Sequence, residues 1–412
     1  MAAANVPSLG DLHDDQLVAL LRSGAHAALL TAYFGEPEYR ELAQLAKLAV
    51  TRRNPRGRRV FVLPGIMGSR LGIVARRSYS LLWLHPTAVA NGSLMQLAMP
   101  SPRALRAVGV MLPGYLKLRL RLEVAGFRPV FAPFDWRRDV DQLAREFARL
   151  IERSGERKAL VVGHSMGGLV ARAALAYDKR RIARLIQLGA PNDGSFAPLQ
   201  ALRAIYPTVR KIASLDRDHS AEYLARTVFH TLPGIYQMLP SCEPDLFDSR
   251  SWPADELAPN AKLLARARKV RAKLPPADDR CNVIAGAGQE TIVSVSPGER
   301  GFQYEFRAEG DGTVPLARAL WTDAATWYAN ENHGALTKND LVLAAVSDIL
   351  KTGDTRRLRT TPPRAEAASR SVTEAELRAI EVRKVQWDAL SLASRRQILE
   401  PVLSPEFLAS NG

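Results

Sequence analysis

Cysteine is nearly absent, with only Cys242 and Cys281 in 412 residues. Neither belongs to a Cys-x-x-Cys pair or a Cys/His cluster, which argues against a disulfide framework and a structural zinc site. Reduced thiols, no metal and no cofactor are expected. No stretch approaches the run of about 18 apolar residues that a membrane-spanning helix needs. The first residues, MAAANVPSLGDLHDD, lack a basic segment followed by an apolar one. A secretory signal peptide is therefore not expected and a cytoplasmic location is, with signal-independent export left open. Acidic residues are in the minority: 57 Lys and Arg stand against 42 Asp and Glu, a net charge of +15. Such a balance attracts polyanions. Arginines crowd 52–59, and Lys262, Arg266, Arg268, Lys269, Arg271 and Lys273 crowd a second run. No helix-turn-helix, RNP, zinc-finger or KH signature accompanies them, so no specific nucleic-acid partner is expected. The charge then reads either as a solvated surface or as peripheral contact with an anionic membrane.

What is present alternates. Residues 11–50 read as helices and 51–59 as an arginine-rich linker, ahead of a short β-branched run, VFVL, at 60–63. Strand-like 128–132, 159–163 and 184–189 are interleaved with helical 140–153 and the MGGLVARAALAYD segment. Buried strands alternating with helices predict a mostly parallel sheet flanked by helices. The rhythm breaks over 195–280, read as a helical cap, and resumes at 281–288, 302–308 and a closing helix over 340–351. The expected organisation is a helical leader and basic linker (1–58), an α/β domain (59–351), a linker (352–371) and a helical tail (372–412). Within the tail, Ser371 to Glu374 reads as a capping box opening a helix to about 386, with a last helix over 389–399.

The chemistry centres on VVGHSMGG. Gly163-His164-Ser165-Met166-Gly167 fits G-x-S-x-G between an apolar strand and a helix, the setting of a nucleophile elbow. A serine hydroxyl needs a base to take its proton and a third group to orient that base. In this arrangement the acid and the histidine follow the serine in that order. Of seven histidines, three follow Ser165. His219 and His230 fall inside the expected cap, so His333 is the candidate base. Asp311, flanked by glycines after the strand-like 302–308, is the candidate acid, with Asp323 in reserve. An oxyanion needs backbone N–H donors. Met166, after the nucleophile, and Ile66, in the glycine-containing loop 64–69, are expected to supply them.

These pieces resemble the lecithin:cholesterol acyltransferase family of the α/β-hydrolase superfamily, which includes lysosomal phospholipase A2 and the phospholipid:diacylglycerol acyltransferases. The resemblance rests on VFVLPGIMGSRL (60–71), Leu82-Trp83-Leu84, FAPFDWRRD (131–139), VVGHSMGGLVAR (161–172), LGAPNDGS (188–195), LPGIYQMLPS (232–241), GDGTVP (310–315) and NHGAL (332–336). It implies an α/β-hydrolase fold and cleavage of a lipid acyl ester through an acyl-enzyme, with transfer to water or an alcohol. Residue by residue it implies a Ser165–Asp311–His333 triad with Ile66 and Met166 in the oxyanion-hole places. Asp135-Trp136-Arg137 match a family element that reads as core or pocket wall. Trp136, Tyr236, Met238 and Leu239 are the candidate substrate contacts, the last three from the cap. The leader and tail lie outside the resemblance. Two other readings compete: a hydrolase of other esters (carboxylesterase, thioesterase or polyester depolymerase), and an inactive basic scaffold binding membranes or nucleic acid.

Overall fold

The computed structural model describes residues 14–76, 78–101, 105–178, 180–364, 368–380, 383–386, 390, 391 and 394. Helices α1 (Asp14–Ser23), α2 (Ala27–Phe34) and α3 (Glu36–Thr51) precede β1 (Arg59–Leu63). Strands β2 (Ser69–Val74), β3 (Tyr79–Trp83) and β4 (Leu105–Val110) follow, with the short α4 (Pro86–Ala90) among them. Strict alternation then sets in: α5 (Leu112–Val124), β5 (Arg128–Phe131), α6 (Val140–Arg153), β6 (Ala159–His164), α7 (Met166–Asp178) and β7 (Ile182–Leu188). The cap carries α8 (Ala197–Leu202), α9 (Pro207–Leu215), α10 (Ala221–Thr227), α11 (Pro233–Tyr236) and α12 (Ala261–Arg271). The chain closes with β8 (Cys281–Gly286), β9 (Thr291–Gly298), β10 (Gly301–Arg307), α13 (Leu316–Ala319), β11 (Ala325–Ala329), α14 (Asp340–Thr352), β12 (Ser369–Thr373) and α15 (Glu374–Ala379).

Six strands form one parallel sheet in the order β11-β8-β7-β6-β1-β5. Every residue of β6 and β8 is buried, as expected of strands covered by helices on both faces. Helix α6 shows how sequence builds such a layer. Val140, Leu143, Ala144, Phe147 and Ile151 recur at helical spacing and are buried, while the Asp139 side chain accepts the Asp141 N–H at 3.0 Å and starts the helix. From β1 the chain crosses to β5 on one side and then returns to β6 on the other. The carboxyl ends of β1 and β6 therefore flank a topological switch point, the place where open parallel sheets bind ligands.

Two small antiparallel sheets lie outside this frame. Strands β3-β2-β4 make one and β12-β10-β9 the other. The strand expected at 302–308 thus exists as β10 but pairs with β9 and β12, not with the central sheet. The segment 352–371 is not a free tether either. Tyr328 donates its N–H to Arg359 O at 2.9 Å, and Ser369–Thr373 zips onto β10. Pairing through Thr373 shifts the capping box two residues on, to Thr373 and Glu376, and α15 ends at Ala379. The helix expected over 389–399 falls almost wholly outside the described residues.

The leader packs on the body. Leu17, Leu21, Leu42 and Leu45 share one buried cluster with Leu112, Tyr115, Leu116 and Leu120 of α5. Arg119 of α5 pairs with Asp14 and Asp15, and Lys117 with Glu41 at 2.8 Å. Among the described residues no single helix is long and apolar enough to cross a membrane.

Candidate active site

Ser165 stands at the end of β6 with φ = 51°, a backbone conformation L-residues rarely adopt. The turn survives because its neighbours are glycines. A Cβ on Gly167 would lie 2.3 Å from Pro64 O, and one on Gly163 would lie 2.7 Å from Gly167 O. Those approaches press the start of α7 against the end of β1 and lift Ser165 above the sheet edge. Ser165 N–H donates to Leu188 O and its carbonyl accepts from Gly168, both at 2.9 Å, so the strain is held from both sides.

Asp311 and His333 reach the same edge by different routes. A Cβ on Gly286, the last residue of β8, would lie 2.5 Å from the Asp311 Cβ. The β9–β10 hairpin is an excursion from that edge, and the Gln289–Asp311 bridge returns the chain to it. His333 follows the C-terminal end of β11. Its Nδ1 lies 2.7 Å from Asp311 Oδ2, and its N–H donates to Asp311 O at 2.8 Å. The other carboxylate oxygen accepts the N–H groups of Val314 at 2.7 Å and Thr313 at 3.0 Å. Asp311 is only 1% exposed, and these donors replace its lost water. With Nδ1–H turned to the carboxylate, the His333 Nε2 lone pair is left available. Asp323, the reserve candidate, is exposed on the turn before β11, at the opposite edge of the sheet.

Ser165 and His333 line one cavity of about 930 Å³, counted to its open mouth. Ile66, Met67, Met111, Ala201, Ile235, Met238 and Val314 give it a mostly apolar wall, and Tyr206, Thr208 and Thr313 add a polar sector. Ile66 lies in a turn closed by Gly68 N–H donating to Gly65 O at 3.1 Å. The Met166 N–H sits in the first turn of α7, where no intrahelical acceptor exists. Gly65, next to Ile66, approaches the serine closely: a Cβ there would lie 2.9 Å from the Ser165 Cβ.

Of the four residues expected to touch substrate, Met238 lines the cavity and three do not. Trp136 is fully buried, donates its Nε1–H to Ser69 O at 3.2 Å and packs edge-to-face on Trp83 at 5.2 Å. Beside it Arg137 grips Asp135 with two nitrogens, at 2.8 and 2.7 Å. The DWR motif therefore cements β2 and the cap to the body. Tyr236 is turned into the cap, its hydroxyl donating to His230 O at 3.0 Å, and Leu239 is core. Their apolar spacing matched a cavity wall and a helix core equally, so sequence could not separate the two. His219 pairs with Asp216, and His230 lies 2.8 Å from Leu202 O, both off the cavity.

Three residues that sequence did not single out border the site. Trp83 donates Nε1–H to Met67 O at 2.8 Å, holding a residue at φ = 61° in the 64–69 loop. Tyr115 lies within hydrogen-bond reach of both Gly65 N and His164 Nδ1. His164 is buried between Tyr115 and His333, and burial together with the neighbouring His333 pushes its pKa down to about 3. Among the described residues no group of three or more His, Cys, Asp or Glu is placed to hold a metal ion.

Six parallel strands, a strained serine turn at the switch point, and an acid and a histidine after the last two strands define an α/β-hydrolase fold. A model of the lecithin:cholesterol acyltransferase family matches residues 114–271, from α5 through the cap. That span holds Ser165 and Met166 but neither Ile66, Asp311 nor His333. No curated protein matches the chain significantly. Among solved structures, a Bacillus licheniformis lipase in propeptide form shares 14% identity over 72% of this chain, with a TM-score of 0.40. The alignment spans 51% of that lipase chain, about half its length. The Tle4–Tli4 complex shares 15% identity over 72% of this chain and 98% of the other, with a TM-score of 0.43. Strand order and the serine turn, not these likenesses, define the class.

Proposed function

We propose that the chain is a serine-dependent acyl hydrolase or O-acyltransferase acting on lipid esters through an acyl-Ser165 intermediate. The observation that carries this reading is the shared cavity: Ser165 on its strained turn and the unengaged edge of an Asp311-bound His333 face the same mostly apolar space. His333 Nε2 takes the Ser165 hydroxyl proton as Oγ attacks the ester carbonyl. The oxyanion is met by the Ile66 and Met166 N–H groups. As the tetrahedral intermediate collapses, the proton on Nε2 passes to the departing alcohol oxygen. Water or a second alcohol then resolves the acyl-serine by the same steps in reverse order.

The family match over 114–271 and the apolar wall support a lipid acyl chain over a small polar acid. The basic surface is less free than its sequence suggests. Arg266, Arg268 and Arg271 are paired with Asp139, Asp245 and Asp193, leaving Lys262, Lys269 and Lys273 of that run exposed beside exposed Arg52, Arg53, Arg56 and Arg58. Within these two runs, those seven are the cations offered to an anionic lipid surface. A fluorophosphonate probe tests the nucleophile: wild type should label and Ser165→Ala should not. Turnover across p-nitrophenyl esters from acetate to palmitate, beside phospholipid vesicles, separates a lipid enzyme from a general esterase. Labelling that survives the substitution would refute the assignment.

A further inference from the structure

We infer that Tyr115 and His164 form a positioning relay that sets the oxyanion loop and the catalytic base at matched heights on either side of Ser165. The inference rests on the acyl-transfer reading above. Three contacts compose the relay. Gly65 N–H donates to the Tyr115 hydroxyl oxygen at 2.7 Å. That hydroxyl lies 2.9 Å from His164 Nδ1, and His164 Nε2 lies 3.1 Å from His333 O.

One protonation state satisfies all three at once. A carbonyl only accepts, so His164 must carry its proton on Nε2 to donate to His333 O. Nδ1 is then an acceptor and takes the Tyr115 O–H. The tyrosine oxygen, its proton spent, accepts from Gly65. The other tautomer would set a ring lone pair against a carbonyl lone pair and leave the tyrosine proton without a partner. Burial keeps the state in place: it raises the Tyr115 pKa above its ordinary value and holds His164 neutral.

The relay joins three segments distant in sequence. Gly65 immediately precedes Ile66, the proposed oxyanion donor from the β1 loop. His164 immediately precedes the nucleophile. His333 carries the proposed base, and its ring lies 4.8 Å from that of His164. Tyr115 comes from α5, inside the cluster that the leader helices pack against. Both residues also border the cavity, but the contacts that define the relay run to backbone groups and to each other. Both act through the backbone they hold, so they are positioning residues. The space is already tight: a Cβ on Gly65 would lie 2.9 Å from the Ser165 Cβ, so a loop released from Tyr115 shifts directly against the nucleophile.

The test uses the full chain and the p-nitrophenyl ester that wild type cleaves fastest, with rates normalised to sites titrated by a fluorophosphonate. Tyr115→Phe removes only the oxygen. Its kcat should fall about 10- to 100-fold with KM within about threefold, because misplacement of this size acts on the transition state. His164→Asn should give a loss of similar size. The Tyr115→Phe/His164→Asn double variant should be no more than about threefold worse than the worse single one, since breaking one chain twice costs little more than breaking it once. The probe's inactivation rate should fall in parallel. Multiplying losses in the double variant, or normal kcat per titrated site with only a lower folded fraction, would overturn the relay and leave two ordinary core residues. Should Tyr115→Phe not fold, His164→Asn and His164→Gln read the same kcat and inactivation rate alone. Failure of wild type itself to label or turn over would refute the reading of the site, which is a different outcome from a fully active Tyr115→Phe.

Discussion

Asp311 and Glu374 are both buried carboxylates, each 1% exposed, and they serve opposite ends. Glu374 opens α15 and is closed in on all sides. Arg203 reaches it at 2.7 Å and Arg378 at 2.7 Å, and it also accepts the Phe302 N–H at 3.2 Å. Arg203 in turn holds Asp255 of the cap at 2.6 Å. Two of its partners are permanent cations, so the cluster acts as a staple binding the tail to α8 and the cap. Asp311 is bonded as fully, but one partner is a histidine that lines the cavity. Glu374, closed by arginines, anchors; Asp311 orients a histidine that lines the cavity, whereas the equally buried Asp216 holds His219 away from it. Neither burial nor bond number separates them; the identity of the partner and its place on the cavity do.

The sharpest way to break that comparison is to remove the two charges in turn. Asp311→Asn should lower kcat by about 10⁴-fold with a folded protein, because the amide favours the wrong imidazole tautomer. Steady-state rates beside circular dichroism would check it, and activity near wild type would exclude Asp311 as the acid. Glu374→Gln should do the reverse. It strands Arg203 and Arg378 around a neutral side chain and should cost about 3–5 kcal/mol of stability, read by denaturant unfolding, while kcat per titrated site stays within a few fold. A large loss of kcat per site there would show that the staple also shapes the cavity.

A smaller effect concerns acid. The folded-state pKa of His164, about 3, lies below its usual 6.5. On acidification the unfolded chain takes its proton first. The associated stability is therefore full above about pH 6.5 and lost progressively as pH falls toward 3, by up to roughly 3 kcal/mol at pH 4. Unfolding free energies of wild type and His164→Asn should converge over that range, whereas a constant gap would mean that His164 titrates alike in the folded and unfolded chains. The smallest change belongs to Asp323→Asn, on the far edge of the sheet, which should alter turnover less than about twofold.

How much of this was legible varied with the range of the signal. The helix over 140–153 and the strand from 60 to 63 follow from local spacing, and the structure places them within a residue of that reading. The serine turn was legible for the same reason, since its glycines, strand and helix are consecutive. Asp311, the candidate acid, was placed through the wrong neighbour. It follows β10 in sequence, but its position at the sheet edge comes from β8, through the Gln289 bridge and the close approach at Gly286. Trp136, Tyr236 and Leu239 are apolar at the spacing of a cavity wall and lie instead in packed interiors. Tyr115 carried no signal at all, because one tyrosine in a leucine-rich helix has no pattern until Gly65 and His164 arrive from elsewhere.

By itself, then, the sequence determined the alternating strands and helices, the tight turn at Ser165 and the order of serine, acid and histidine along the chain. These depend on neighbours within one turn of helix or one strand. Only the tertiary structure decided which buried carboxylate meets a histidine and which meets arginines, which apolar side chains face the cavity, and that a tyrosine stands between the 64–69 loop and the elbow. Each is set by contacts between residues separated by 22 to 171 positions. No local spacing records such distances; close packing of the folded layers does.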